Sequence, residues 1–128
     1  MSNSDALPPN HLEVKPLRLD KSRLLSFGEP AEIRSLLALF FETSRDNLAD
    51  LALCAAPEDR NRAAAAAHRL RGSASSIGAI ALAAQVRNLE EGLRAFPAEE
   101  WPKAMADLHA EYSATHQELE GVLSEMGD

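Results

Sequence analysis

His68 lies in the run AAAAAHRLRGSASSIGA, residues 63–79, ringed by alanines, with Arg71 one helical turn after it and Gly72 next along. An imidazole titrates near pH 6.5 when unperturbed, so much of it is neutral at pH 7 and carries a nucleophilic ring nitrogen. A guanidinium one turn away offers a planar fork of N–H donors to an anion held on that ring. Phosphoryl transfer needs an in-line nucleophile and charge stabilisation on the equatorial oxygens more than it needs acid–base groups from the protein. A bare His beside an Arg therefore supplies half of a phosphoryl-transfer site. The Mg²⁺ and the carboxylates are expected on a partner, because no tight acidic cluster occurs in this sequence.

Stepping along the helix that must carry His68, Ala63, Ala67, Leu70, Ala74 and Ile77 recur at spacings of four and three and form the inward stripe. His68 lies about 100° round from Ala67, at the edge of that stripe or outside it. Its neighbours on its own face are Ala64, Ala65, Arg71 and Gly72, three of which have almost no side chain. A glycine inside a helix costs about 1 kcal/mol relative to alanine. The compensation expected at Gly72 is clearance, a missing β-carbon that lets another surface come close to the imidazole.

The other elements follow the same period. Residues 1–18 are polar, carry Pro8, Pro9 and Pro16, and read as a flexible N-terminal tail. A short amphipathic piece follows, with Asp20 as cap, Leu24, Leu25 and Phe27 on its apolar side and Gly28 at its end. A long helix runs from Pro30 to about residue 54 on Ile33, Leu37, Phe40 or Phe41, Leu48 and Leu51. The His68 helix opens at Pro57 and breaks at Gly78, and a third helix reads Leu82, Val86, Leu89, Leu93 and Phe96 up to Pro97. The last carries the narrowest seam: Trp101, Met105, Leu108, Tyr112, Thr115, Leu119, Val122 and Met126. Four helices of this kind joined by short connections predict an all-α fold, an antiparallel up-down-up-down four-helix bundle over residues 19–128 with a short extra N-terminal helix.

Composition narrows the function. A net charge of −7, with acidic residues spread along the chain, leaves no basic stripe to neutralise phosphates and argues against a nucleic-acid partner. No window approaches the length of an apolar membrane span, and the N-terminus has no signal-peptide run, so the expected setting is cytoplasmic, with no membrane partner. The single cysteine, Cys54, excludes an intramolecular disulfide and reads as a buried or inert thiol. His109 and His116 are seven apart, about 10.5 Å of helical rise, too far to ligate one metal, so no metal site is expected. The apolar seams are satisfied by one closed bundle, which predicts a monomer.

The segment AHRLRGSASSIGAIALAAQVRNLEE resembles the signature of histidine-containing phosphotransfer (HPt) domains: Ala-His-x-Leu-Lys-Gly-Ser, an apolar-Gly-Ala step, then a helix ending near Leu-Glu. The upstream DKSRLLSFGEPAEIRSLLALFFETSRDNLADL is similar to the same family's preceding helices, and the resemblance covers roughly residues 19–123. It implies that His68 accepts a phosphoryl group from a receiver-domain aspartate and passes it to another receiver domain in two-component signal transduction. The implied partners are response-regulator receiver domains and hybrid sensor kinases. The chain itself is expected to be a carrier without a kinase domain. Arg71 then takes the place of the family's common lysine beside the phosphate, and Gly72 that of its clearance glycine, with Ala64 and Ala65 sharing that role.

Many relatives place a glutamine on the following helix against the imidazole, and here the corresponding residue is Glu90, with Arg87 one turn earlier near the same place. His68 precedes Gly78 by ten residues and Glu90 follows it by twelve, so a hairpin brings the two to one level. Glu90 is expected to accept the Nδ1 proton and leave Nε2 as the nucleophile. Arg69 and Ser75 are candidate partner contacts. The alternative is a docking bundle that binds receiver domains through the same surface without carrying phosphate.

Overall fold

The computed structural model describes residues 17–127. Five α-helices make up the described chain: α1 (Lys21–Leu25), α2 (Pro30–Ala52), α3 (Arg60–Ile77), α4 (Ile80–Glu91) and α5 (Trp101–Met126), with no strand among the described residues. The four longer helices pack in a ring, α2 on α3, α3 on α4, α4 on α5 and α5 back on α2. The expected antiparallel four-helix bundle with a short leading helix is what the chain builds.

Periodicity explains the core. On α2, Ile33, Leu37, Phe40, Phe41, Leu48 and Leu51 are buried, so both phenylalanines enter the core. On α5 the seam from Trp101 to Val122 is buried and Met126 is half-buried. Each large apolar side chain taken out of water contributes about 1.5–3 kcal/mol. The α3 stripe of Ala63, Ala67, Leu70, Ala74 and Ile77 is buried with Ala66 beside it. Small side chains along that stripe let α2 and α4 approach closely from either side, which holds the His68 helix between two neighbours.

The α3–α4 turn is fixed by a glycine. Gly78 closes α3 in the left-handed region at φ 86°, and a β-carbon there would meet the Asp20 carbonyl oxygen at 2.7 Å. Asp20 N–H donates to the Gly78 carbonyl at 2.7 Å, while Asp20 Oδ1 accepts from Arg23 N–H as the cap of α1. The segment before α1 thus straps across the hairpin that sets the level of α3 against α4. Residues 1–16 of the expected tail lie outside the described residues. Of its last two, Leu17 is exposed, and Arg18 is tied to Glu111 at 2.8 Å and to Glu118 at 2.7 Å.

Three expectations need correction. Leu24 enters the core as expected, but Leu25 and Phe27 are exposed. The Pro57 start is a 3₁₀ turn over Pro57–Asp59, and the α-helix proper begins at Arg60. The helix read through Leu93 and Phe96 stops at Glu91, giving α4 only 12 residues, and the chain continues in a 3₁₀ turn over Leu93–Ala95. Arg60 supplies the reason for the last. The residue is 7% exposed, and its guanidinium donates to the carbonyls of Leu93 and Phe96 at 2.7 Å and of Ala55 at 2.8 Å and lies 4.8 Å from the Trp101 ring centre. Those two carbonyls turn toward a buried cation instead of into a helix.

Candidate functional site

His68 projects from the middle of α3 with its side chain 68% exposed. Ala65 and Gly72 on the same face are exposed and Ala64 is half-buried. A β-carbon at Gly72 would meet nothing within 4 Å, so packing inside this chain gives no reason for a glycine there. The collar of small residues leaves the outer side of the ring open, as the helical wheel indicated.

The inner side of the ring is held. Glu90 reaches across from α4, and its Oε2 stands 3.2 Å from His68 Nδ1. Arg71 Nε donates to Glu90 Oε1 at 2.7 Å, and Arg71 Nη2 stands 3.0 Å from the same Nδ1. The three side chains close a triangle whose two charged members are mostly buried, Glu90 at 25% and Arg71 at 28% exposure. Partial burial pushes the Glu90 carboxyl up, but its contacts with the Arg71 guanidinium above all outweigh that and hold the group below its ordinary value. Glu90 is therefore ionised at neutral pH.

The structure brings His68, Arg71, Gly72, Ala64, Ala65 and Glu90 together and leaves three other candidates apart. Arg87 is exposed and makes no ion pair or hydrogen bond among the described residues, so it does not join the cluster. Arg69 turns to α2, where Nε donates to Asn47 Oδ1 at 3.2 Å and Nη2 lies 3.6 Å from Asp50 Oδ2. Ser75 is exposed. Two features escaped the sequence reading. One is the Arg71–Glu90 bond, signalled only by opposite charges at one level of a hairpin. The other is a groove of about 680 Å³ between α2 and α3, floored by Leu36, Leu39, Phe40 and Ile77 and rimmed by Asp50 and Arg69. Leu39 is exposed in it, and Arg69 is the residue beside His68.

Among the described residues, no group of three or more His, Cys, Asp or Glu side chains stands together to hold a metal ion, and no helix is long and apolar enough to cross a membrane. Cys54 is buried, its Sγ donates to the Asp50 carbonyl at 3.2 Å, and burial raises its thiol above the ordinary range, which suits an inert thiol.

A helical bundle with one open, carboxylate-backed imidazole in mid-helix is the arrangement of a phosphotransfer protein. The family model of the Hpt domain matches residues 35–121, and the chain belongs to that family. A comparison with curated proteins gave no match. Domains of this family serve in histidine phosphotransfer within phosphorelays and interact with receiver domains.

Proposed function

We propose that this protein is a phosphorelay intermediate in which His68 takes a phosphoryl group from the aspartate of one receiver domain and gives it to another. The observation that carries the reading is the His68 ring, open on its outer side and backed at Nδ1 by an ionised carboxylate. With its proton on Nδ1 and donated to Glu90, the ring presents the Nε2 lone pair outward. That pair attacks phosphorus as the bond to the aspartyl oxygen breaks, and the bonding electrons leave with the aspartate carboxylate. Positive charge spreads over the phosphorylated ring and is offset by Glu90. Arg71, pivoting on its Glu90 bond, offers its free N–H groups to the phosphoryl oxygens. The Mg²⁺ of the transfer belongs to the receiver partner.

Clearance at Gly72, Ala64 and Ala65 supports close docking, and the α2–α3 groove beside Arg69 extends the surface a receiver would cover. Transfer in both directions uses the same in-line path, so this site acts as a carrier of the phosphoryl group. Packing of the long-helix seams into one core supports a monomer. Incubation with a phosphorylated receiver domain tests the reading. The expected result is an acid-labile, alkali-stable label on His68. Tight binding with no label would instead make the chain a docking bundle.

A further inference from the structure

The ring-plane position at His68 Nδ1 holds either a proton or a lone pair, yet two groups of opposite demand reach it. Glu90 Oε2, at 3.2 Å, can only accept and needs an Nδ1–H. Arg71 Nη2, at 3.0 Å, can only donate and needs the lone pair. A guanidinium does not deprotonate in proteins and Glu90 is ionised, so neither neighbour can change its role. Only the ring can adjust, by moving its proton between its two nitrogens. With the proton on Nδ1, Glu90 is satisfied and Nε2 is a nucleophile. With the proton on Nε2, Arg71 is satisfied, the outward nitrogen has no pair to attack with, and the unprotonated nitrogen is covered.

We propose that Arg71 is a tautomer latch: at rest its guanidinium holds Nδ1 of His68 unprotonated, and an anion presented at the outer side of the ring draws it away, releasing the ring to the Nδ1–H form that Glu90 holds. The inference rests on the reading of His68 as the phosphoacceptor. The proton balance is simple. One N–H bond breaks at Nε2 and one forms at Nδ1, with water carrying the proton at a ring that is 68% exposed. A pivot is available too, because Arg71 Nε is bonded to Glu90 at 2.7 Å, and turning the whole guanidinium about that bond carries Nη2 off Nδ1. A fork suits this better than a point cation, since one edge keeps the carboxylate while the other changes partner. Arg71 is thus a positioning residue before it meets the phosphoryl group, and the latch keeps the nucleophile masked until a receiver's acyl phosphate arrives.

The test is nitrogen NMR of the full chain labelled at histidine, at about pH 8.5 where an imidazole is neutral. The Nδ1 and Nε2 shifts report the tautomer directly. Wild type is expected to hold His68 mainly as Nε2–H. Arg71→Ala should move the ratio toward Nδ1–H by roughly threefold or more, the scale of a part-exposed charged contact. Glu90→Gln, which keeps the shape but removes the carboxylate charge, should leave the Nε2–H form dominant. Titrating inorganic phosphate into wild type should move the ratio in the direction of Arg71→Ala. A wild-type ring already in the Nδ1–H form, a ratio unchanged in Arg71→Ala, or one that stays put through the phosphate titration overturns the latch. A merely structural arginine would alter helix stability and leave the ratio alone. No phosphodonor enters the measurement, so its failure with His68 labelled normally removes the latch alone. Loss of labelling at His68 would remove the phosphoacceptor reading whatever the tautomer.

Discussion

Two histidines of this molecule each have a carboxylate in reach and yet differ in what they can do. His68 meets Glu90 at 3.2 Å across two helices, with its ring in the open among Ala65 and Gly72. His116 meets Glu120 at 3.8 Å one turn along the same helix, and its ring lies 4.1 Å from that of Phe41 and 6.3 Å from that of Tyr112. Its side chain is 35% exposed, half that of His68. A carboxylate partner is therefore common to both and decides little. What separates them is the size of the neighbours: aromatic groups make His116 a packing residue on the α2–α5 boundary, and methyl groups and a glycine leave His68 free to be visited.

The sharpest way to break this contrast is to remove each ring in turn. His68→Gln should reduce labelling by a phosphorylated receiver to background, and His116→Gln should leave it near the wild-type level, read by acid-labile label per chain. Equal loss in both would end the distinction. A smaller effect is expected from rebuilding the collar. Gly72→Leu should weaken receiver binding by about tenfold or more, since a buried clash costs about 1–3 kcal/mol, while raising helix stability slightly. Gly121 provides the control, because a β-carbon there also meets nothing within 4 Å, and it sits on another helix away from the His68 face. Gly121→Leu should leave titrated affinity unchanged, and a matching loss would show that clearance at Gly72 is not special.

The aromatic side of the contrast is tested by stability. His116→Ala should cost about 0.5–1.5 kcal/mol in denaturant unfolding through the lost ring contact with Phe41, without changing labelling. The smallest effect belongs to pH. Because the folded Glu90 carboxyl titrates below its unfolded value, its contribution to stability is complete above the ordinary carboxyl range and is lost as pH falls through the folded value. Carbon NMR of Glu90 should show that low midpoint in wild type and a higher one in Arg71→Ala. An unmoved midpoint would mean that the Arg71 bond does not hold the carboxyl down.

The helices themselves were readable because burial of one face imposes a period on the letters, and the seams of α2, α3 and α5 followed it residue by residue. The placement of His68 off the alanine stripe came from the same period, and the meeting with Glu90 came from counting the hairpin on either side of Gly78. The early end of α4 was invisible, because the apolar spacing of Leu93 and Phe96 continues while their carbonyls are captured by Arg60 from a distant turn. The same holds at the site. One-dimensional spacing puts Arg69, Arg71 and Arg87 all near His68, but only packing chooses among them: Asn47 and Asp50 on α2 draw Arg69 away, Arg87 points to solvent, and Glu90 draws Arg71 inward.

Sequence alone thus settled that four long helices form, which faces of α2, α3 and α5 are buried and that the His68 imidazole stands outside them, since these depend on local propensity and the fixed geometry of a helical turn. Which cation attends that imidazole, and that it competes with a carboxylate for a single nitrogen, was decided only when α3 and α4 came together. Hydrogen bonds between side chains depend on ångström distances across helices, and no spacing along one chain records them.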